Sequence, residues 1–182
     1  MSLRLHQSYK FELTFNLTPP LTHKFLIKGE KMSNKDILIL FGTETGNAED
    51  LADQAGNEAN KYDLEADIRG MDEVTIDELV TSKRVIIFCS TWGDGEQPYN
   101  AQDLFDATSG LPENSMNDLY FAVLALGDTA FDLFCESGKE WDQILEEKGG
   151  TRVNHRVDCD VDYEDEADIW IPTTLEMMKK IE

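Results

Sequence analysis

The fold is decided by the stretch Ile37-Leu38-Ile39-Leu40-Phe41-Gly42-Thr43-Glu44-Thr45-Gly46-Asn47-Ala48. A short apolar run ends in hydroxyls and glycines, and the pattern of a helix follows at once. This order predicts a strand, a tight loop and a helix N-terminus, where unpaired backbone N–H groups and the helix dipole favour an anion. Because the loop has neither Lys nor Arg, a phosphate would be held by neutral donors, namely backbone N–H groups and the hydroxyls of Thr43 and Thr45.

The best-known glycine-rich phosphate loops do not match this stretch. A nucleoside triphosphate loop ends in Gly-Lys-Ser/Thr, and a dinucleotide fingerprint reads Gly-x-Gly-x-x-Gly. Gly42 and Gly46 alone satisfy neither pattern. A small phosphate monoester is therefore the better prediction, and FMN is the common cofactor that carries one.

Strand patterns recur after the first strand. Residues 85–89 and 120–126 are apolar throughout, as expected for strands that are covered on both faces. Residues 64–69 alternate between apolar and charged side chains, which predicts an edge strand with one polar face. Residues 151–157 alternate in a similar way and are predicted to form the fifth and last strand.

Helical patterns separate these strands, so we predict an α/β fold with a doubly wound, five-stranded parallel sheet. Thr75 and Glu78 have the spacing of a capping box at the start of a short helix. Asn100 is expected to cap the helix that follows the third strand. The final helix should begin within residues 162–168, and Pro172 predicts a kink or a restart in it, because proline cannot donate a backbone hydrogen bond.

Three loops with unusual sequences follow the first, third and fourth strands. They lie at residues 42–48, 90–98 and 127–135. In a doubly wound sheet, ligands bind in the crevice beyond the carboxyl ends of the strands, and all three loops would open on that edge. We therefore expect the ligand site there, with Trp92 as a platform for a flat ligand.

Motifs in these loops resemble the FMN loops of flavodoxin-like domains: Thr43-Glu44-Thr45-Gly46-Asn47-Ala48, Ser90-Thr91-Trp92-Gly93-Asp94-Gly95 and Leu126-Gly127-Asp128-Thr129-Ala130-Phe131. The chain is most similar to the FMN module of diflavin reductases, the group of the sulfite reductase flavoprotein, microsomal cytochrome reductase and nitric oxide synthase. The resemblance runs from about Lys35 to the C-terminus, where the FAD- and NADPH-binding half of such a reductase would begin. It implies the strand order 2-1-3-4-5 and FMN as the cofactor.

By that resemblance, the first loop holds the ribityl phosphate, while the second and third loops enclose the isoalloxazine ring. Trp92 and Phe131 fall where the family places its stacking aromatic residues. Relatives often have a hydroxyl at the position of Ala48 and a tyrosine at that of Phe131. The implied cofactor-binding residues are, loop by loop, Thr43, Glu44, Thr45, Gly46, Asn47 and Ala48; Ser90, Thr91, Trp92, Gly93, Asp94 and Gly95; and Leu126, Gly127, Asp128, Phe131, Phe134 and Cys135.

The composition restricts the class of protein. A chain of 182 residues is enough for one domain with a full core. Its formal net charge of -21 repels nucleic acid and anionic membranes and favours partners that present a basic face. The three cysteines form no metal or disulfide pattern, which indicates a reducing compartment, the cytoplasm. No apolar run is long enough to span a membrane, and we expect a monomer.

Residues 1–31 differ from the rest of the chain. They hold five of the 16 Lys and Arg residues but only two acidic residues, Glu12 and Glu30. We interpret them as an ill-ordered N-terminal extension, either translated or preceding a true start at Met32, and we assign residues 32–182 to the FMN-binding domain. A partner-binding arm is the alternative for this segment.

The leading hypothesis for function is an FMN electron carrier that accepts electrons from a reductase and passes them singly to a haem or iron–sulfur acceptor. The alternatives are an FMN-dependent NADPH oxidoreductase that acts on quinone or nitro substrates, and a detached subunit of a diflavin reductase. A phosphorylated receiver on the same fold would need an acidic pair after the first strand, where this chain has Phe41-Gly42-Thr43. The sequence shows no activated nucleophile, acid–base pair or metal cluster, so no autonomous catalytic site is expected.

Overall fold

The computed structural model describes residues 35–182, and the expectation for residues 1–31 lies outside the described residues. Strands and helices alternate along this part of the chain. The strands are β1 (Asp36–Gly42), β2 (Glu65–Gly70), β3 (Arg84–Ser90), β4 (Tyr120–Leu126), β5 (Thr151–Arg152) and β6 (Val157–Cys159). The helices are α1 (Asn47–Ala59), α2 (Ile76–Thr81), α3 (Tyr99–Ser109), α4 (Glu136–Glu147) and α5 (Glu164–Lys179).

The strands form one parallel sheet in the order β2-β1-β3-β4-β5, and β6 pairs with the carboxyl-terminal end of β4. This arrangement confirms the predicted doubly wound sheet and its order. Ile39 of β1 lies between Ile68 of β2 and Ile86 of β3. Among the described strands β2 pairs only with β1, so the predicted edge strand is confirmed as well.

The prediction of a single last strand at residues 151–157 is wrong. Arg152 pairs with Phe121, and pairing with β4 resumes at Val157 opposite Leu124. Two residues of β4 therefore lie opposite the four residues 153–156. Because these four residues cannot all pair with β4, the segment bulges out between β5 and β6. Alternation of apolar side chains continues across such a bulge, so the sequence pattern does not reveal the break.

Two apolar layers cover the faces of the sheet. Ile37 and Ile39 point to the side of α1 and α5, whereas Leu38 and Leu40 point to the side of α2, α3 and α4. The α1 side is lined by small residues that let the helix lie close to the strands, namely Ala48, Ala52, Ala55 and Ala59. With both faces covered, the central strands bury nearly all their side chains, as their apolar sequences predicted.

Helix boundaries test three further expectations. The capping box at α2 is confirmed, since Thr75 and Glu78 each bond the other's backbone N–H. Asn100 does not cap α3, which begins one residue earlier at Tyr99. The predicted restart at Pro172 is wrong because α5 runs continuously through it, held by buried residues on both sides of the proline, such as Trp170 and Leu175. The kink at Pro172 stays a prediction. No helix within residues 35–182 is long and apolar enough to cross a membrane.

Candidate functional site

A cleft of about 570 Å³ opens at the carboxyl edge of the sheet, within the size range of small-molecule sites. The three predicted loops line it together with one residue of the loop after β6. Twelve predicted residues lie on its wall: Glu44, Thr45, Asn47, Ser90, Thr91, Trp92, Gly93, Leu126, Gly127, Asp128, Phe131 and Cys135. The other six, Thr43, Gly46, Ala48, Asp94, Gly95 and Phe134, do not.

The first loop turns sharply into α1 at Gly46. Its φ of +96° is a left-handed conformation that glycine adopts without strain, and a Cβ at this position would meet no atom within 4 Å. The space above the loop is therefore open. The hydroxyl of Thr43 accepts a hydrogen bond of 3.0 Å from the Gly46 N–H, and Thr43 does not line the cleft. Thr45 and Asn47 are exposed and face the cleft.

Two contacts with the start of α3 hold the first loop in place. The Asn100 side chain accepts a 2.9 Å hydrogen bond from the Thr43 N–H and donates one of 3.3 Å to the Phe41 carbonyl. The Glu44 carboxylate accepts a 2.6 Å hydrogen bond from the Tyr99 N–H, at the first residue of α3. Asn100 therefore acts as a brace for the first loop rather than as the helix cap predicted from the sequence.

The second loop is a closed turn. Trp92 and Glu96 exchange backbone hydrogen bonds of 3.0 and 2.8 Å, and the glycines between them have φ values of +53° at Gly93 and +106° at Gly95. The Glu96 carboxylate folds back to accept a 2.6 Å hydrogen bond from the Asp94 N–H. Trp92 stands on this turn with 53% of its surface exposed and forms one wall of the cleft.

The third loop is fastened to the segment after β6. Asp160 accepts hydrogen bonds from the hydroxyl and the N–H of Thr129, at 2.5 and 3.0 Å. These bonds favour the charged carboxylate and lower the pKa of Asp160 below its ordinary value. Phe131, 60% exposed, forms a second apolar wall of the cleft. Phe134 packs against Gly127 outside the cleft.

Leu133 and Val161 line the cleft although neither was predicted. Val161 follows Asp160 in the loop after β6, and this loop lies at the same edge of the sheet as the other three. A rule that every loop at the carboxyl edge contributes to the site would have found Val161. Leu133 lies within the predicted third loop, and its neighbours Phe131 and Phe134 have the more conspicuous side chains.

The cleft offers binding surfaces rather than acid–base chemistry. Burial raises the pKa of Cys135, which borders the cleft, to about 12, so its thiol is neutral and a poor nucleophile at ordinary pH. No group of three or more His, Cys, Asp or Glu residues in the part of the chain described could hold a metal ion. What the site provides is two exposed aromatic faces beside a helix N-terminus with open space above it.

The family model for flavodoxin matches residues 39–170. The chain belongs to the flavodoxin family. The match includes all four loops that line the cleft. The family assignment confirms the resemblance inferred from the three motifs, and with it an FMN-dependent electron-transfer role of the flavodoxin type.

The flavodoxin domain described here is similar to part of a larger protein. It is 39% identical over 142 residues to the sulfite reductase (NADPH) flavoprotein alpha-component of Bacillus subtilis, a match that covers 78% of this chain and 24% of that protein. The corresponding protein of Vibrio parahaemolyticus is 33% identical over 144 residues, covering 79% of this chain and 23% of that one. The chain thus spans about a quarter of the length of these curated relatives.

Solved flavodoxin structures match this flavodoxin domain over nearly their whole length. An engineered variant of the flavodoxin from Pseudomonas aeruginosa aligns with a TM-score of 0.69 at 28% identity, covering 79% of this chain and 99% of that one. Flavodoxin 2 from Bacillus cereus aligns with a TM-score of 0.66 at 29% identity, covering 79% of this chain and 97% of that one.

Proposed function

We propose that the protein is a one-electron carrier whose FMN binds in the cleft between the first, second and third loops. The observation that carries this proposal is the combination of the open helix N-terminus at Gly46 with the aromatic walls of Trp92 and Phe131. FMN supplies the redox chemistry when it is bound, because its ring takes up and releases electrons singly or in pairs. The protein supplies binding, orientation and the electrostatic surroundings.

The first loop is suited to the phosphate of FMN. Backbone N–H groups at the start of α1, the hydroxyl of Thr45 and the amide of Asn47 are neutral donors at the positive end of the helix dipole. Asn100 and Glu44 hold the loop to α3, so the donors need little rearrangement on binding. Such preorganisation increases affinity because fewer groups have to be ordered when the ligand binds.

The second and third loops are suited to the ring. Trp92 and Phe131 would cover its faces and exclude water, while the backbone of the turn at Gly93 offers hydrogen-bonding groups to its edge. Acidic residues form a rim to this site: Glu44 and Asp128 line the cleft, and the exposed residues Asp94, Glu96 and Asp132 belong to the second and third loops. Negative charge there opposes the build-up of negative charge on the ring and makes its full reduction harder.

The same acidic rim supports a redox partner with a basic face. We propose a reductase as the donor and a haem or iron–sulfur protein as the acceptor. The relatives named for sulfite reductase support a second candidate, in which this domain works as a detached subunit of a diflavin reductase. We further propose a monomer in the cytoplasm, which agrees with the free thiols of Cys89, Cys135 and Cys159.

The proposed cofactor is tested by identifying what the purified protein releases on denaturation. We expect FMN by chromatography, and we expect apoprotein to bind added FMN with quenching of its fluorescence. Thr45→Val should raise the Kd for FMN by a factor of about 10 to 150, since a hydrogen bond to a charged group contributes about 1.5–3 kcal/mol. Thr173→Val, on the exposed face of α5, is the matched control. Release of FAD, or failure to bind FMN, would overturn the proposal.

A carrier and an NADPH oxidoreductase differ in what reduces them. NADPH alone should leave the flavin absorbance of this protein unchanged for minutes, whereas NADPH with a competent reductase should bleach it. Rapid bleaching by NADPH alone, followed by reduction of a quinone or nitro compound, would favour the oxidoreductase instead.

A further inference from the structure

Gln97 is a buried polar residue at the end of the second loop, only 6% exposed. Its carbonyl oxygen accepts hydrogen bonds of 2.6 Å from the Ser137 hydroxyl and 3.0 Å from the Trp141 indole N–H. Its amide nitrogen donates to the Ser137 carbonyl at 3.3 Å and to the Glu140 carboxylate at 2.9 Å. Every polar atom of this side chain is therefore bonded to α4.

The other end of the second loop is bonded to the same helix. The hydroxyl of Thr91 accepts a 3.2 Å hydrogen bond from the Ser137 N–H, in the first turn of α4. Between these two attachments the loop is closed by the bonds between Trp92 and Glu96. The turn that carries Trp92 is thus a small closed unit whose two ends both lie on α4.

The third loop leads directly into α4, since the helix begins at Glu136 and the loop ends at Cys135. Phe131 and Trp92 therefore belong to segments that meet at one helix N-terminus. A shift of the second loop relative to α4 would change the distance between the two aromatic walls. Buried networks in which every member is bonded are rigid, because each polar group would lose its partner on moving.

We propose that Gln97 is a positioning residue that fixes the separation of the Trp92 and Phe131 walls and thereby sets both the affinity for the flavin and its reduction potential. This inference rests on the proposed function, because it takes the flavin ring as the occupant of the cleft. Gln97 does not line the cleft, so it acts only through the two walls. A cleft with fixed walls binds a flat ring without the cost of ordering its loops.

The test is the variant Gln97→Leu, which keeps a side chain of similar size and removes the four hydrogen bonds to α4 together with the weaker one of 3.8 Å from the Cys89 thiol. It leaves the Trp141 N–H without an acceptor, and the Ser137 hydroxyl keeps only its 3.0 Å contact with the Cys89 sulfur. We expect the Kd for FMN to rise about tenfold or more in titrations of the apoprotein, and the midpoint potentials to move away from those of the parent protein. Gln143→Leu, the same change at an exposed position of α4, should alter neither.

Smaller substitutions in the same network test whether Gln97 affects flavin binding or only the stability of the fold. Ser137→Ala removes one hydroxyl from the network and should raise the Kd for FMN a few-fold. Trp141→Phe removes one donor, and it should act in the same direction as Ser137→Ala. If Gln97→Leu fails to fold, these two variants decide the question.

The outcomes distinguish this inference from the proposal on which it rests. If the parent protein does not bind FMN, both are wrong. If the parent binds FMN and the variants lower only the melting temperature of the apoprotein, with unchanged Kd and potentials, Gln97 has a purely structural role and the inference is overturned. Raised Kd values and shifted potentials in the network variants, but not in Gln143→Leu, support it.

Discussion

Gly127 follows the last residue of β4, where the chain passes close to the start of α4. A Cβ at this position would lie 2.7 Å from the Cys135 nitrogen and 2.9 Å from both the Cys135 sulfur and Phe134 Cδ2. Contacts that short are not tolerated, and the backbone nitrogen cannot swing aside as the end of a long side chain can. The third loop therefore requires glycine here for reasons of space, independently of any ligand.

We predict that Gly127→Ala lowers the free energy of unfolding by about 1–3 kcal/mol, the usual cost of forcing a methyl group into a packed site. The displaced third loop should also weaken FMN binding. Gly110→Ala is the control, because its Cβ would meet only carbonyl oxygens at 3.5 and 3.6 Å, which is ordinary contact. Urea unfolding of both variants checks the prediction, and equal stability of the two would contradict it.

At the scale of elements, the start of α2 shows a local motif with an electrostatic consequence. The Glu78 carboxylate accepts hydrogen bonds of 2.9 and 2.8 Å from the N–H and the hydroxyl of Thr75, and one of 3.0 Å from Arg69. These donors stabilise the charged form and lower the pKa of Glu78 from 4.5 to about 2. Because the folded-state pKa is the lower one, this stabilisation is present above about pH 4.5 and is lost as the pH falls towards 2.

We predict that Glu78→Gln is less stable than the parent protein at pH 6 by less than ~1 kcal/mol, since the side chain is 45% exposed and water weakens the interaction. The difference should shrink between pH 5 and pH 2, as the parent loses the charge that the variant lacks. Unfolding curves at a series of pH values measure it. Asp77→Asn, which removes a charge from the same turn, is the control. If the difference in stability between Glu78→Gln and the parent protein does not change with pH, the charge of Glu78 is not the cause of the stabilisation.

At the scale of the whole molecule, charge dominates the behaviour towards partners. The formal net charge of -21 makes the protein strongly negative overall, and Glu44 and Asp128 add acidic groups to the lining of the cleft. Long-range attraction between oppositely charged surfaces mainly raises the rate of association, and salt weakens it.

We predict that electron transfer to a basic-faced redox protein slows by at least about tenfold when the Debye length is reduced from ~30 Å to ~3 Å by added salt. Stopped-flow rates over this range of ionic strength give the measurement. An uncharged small oxidant is the control, because its reaction should hardly respond to salt. If the rate with the protein partner is equally insensitive, the acidic rim is not the docking face.

The amino-acid sequence by itself determined the features that depend on neighbouring residues. The strand patterns, the loop at Gly46 and the capping box of Thr75 and Glu78 could all be read from short segments, since each is governed by periodicity or by contacts within a few residues. The order of strands and the edge that carries the site then followed from general rules of parallel sheets and from the resemblance to a known family.

Tertiary structure decided the features that depend on residues far apart in the chain. Asn100 braces the first loop across 57 positions instead of capping its own helix. Gln97 meets Trp141 across 44 positions, and Val161 reaches the cleft from a loop that carries no motif. Whether 151–157 is one strand or two depends on β4, the strand beside it. Distant segments come into contact only when the whole chain folds. The sequence pattern of one segment therefore does not indicate which distant residues it will contact.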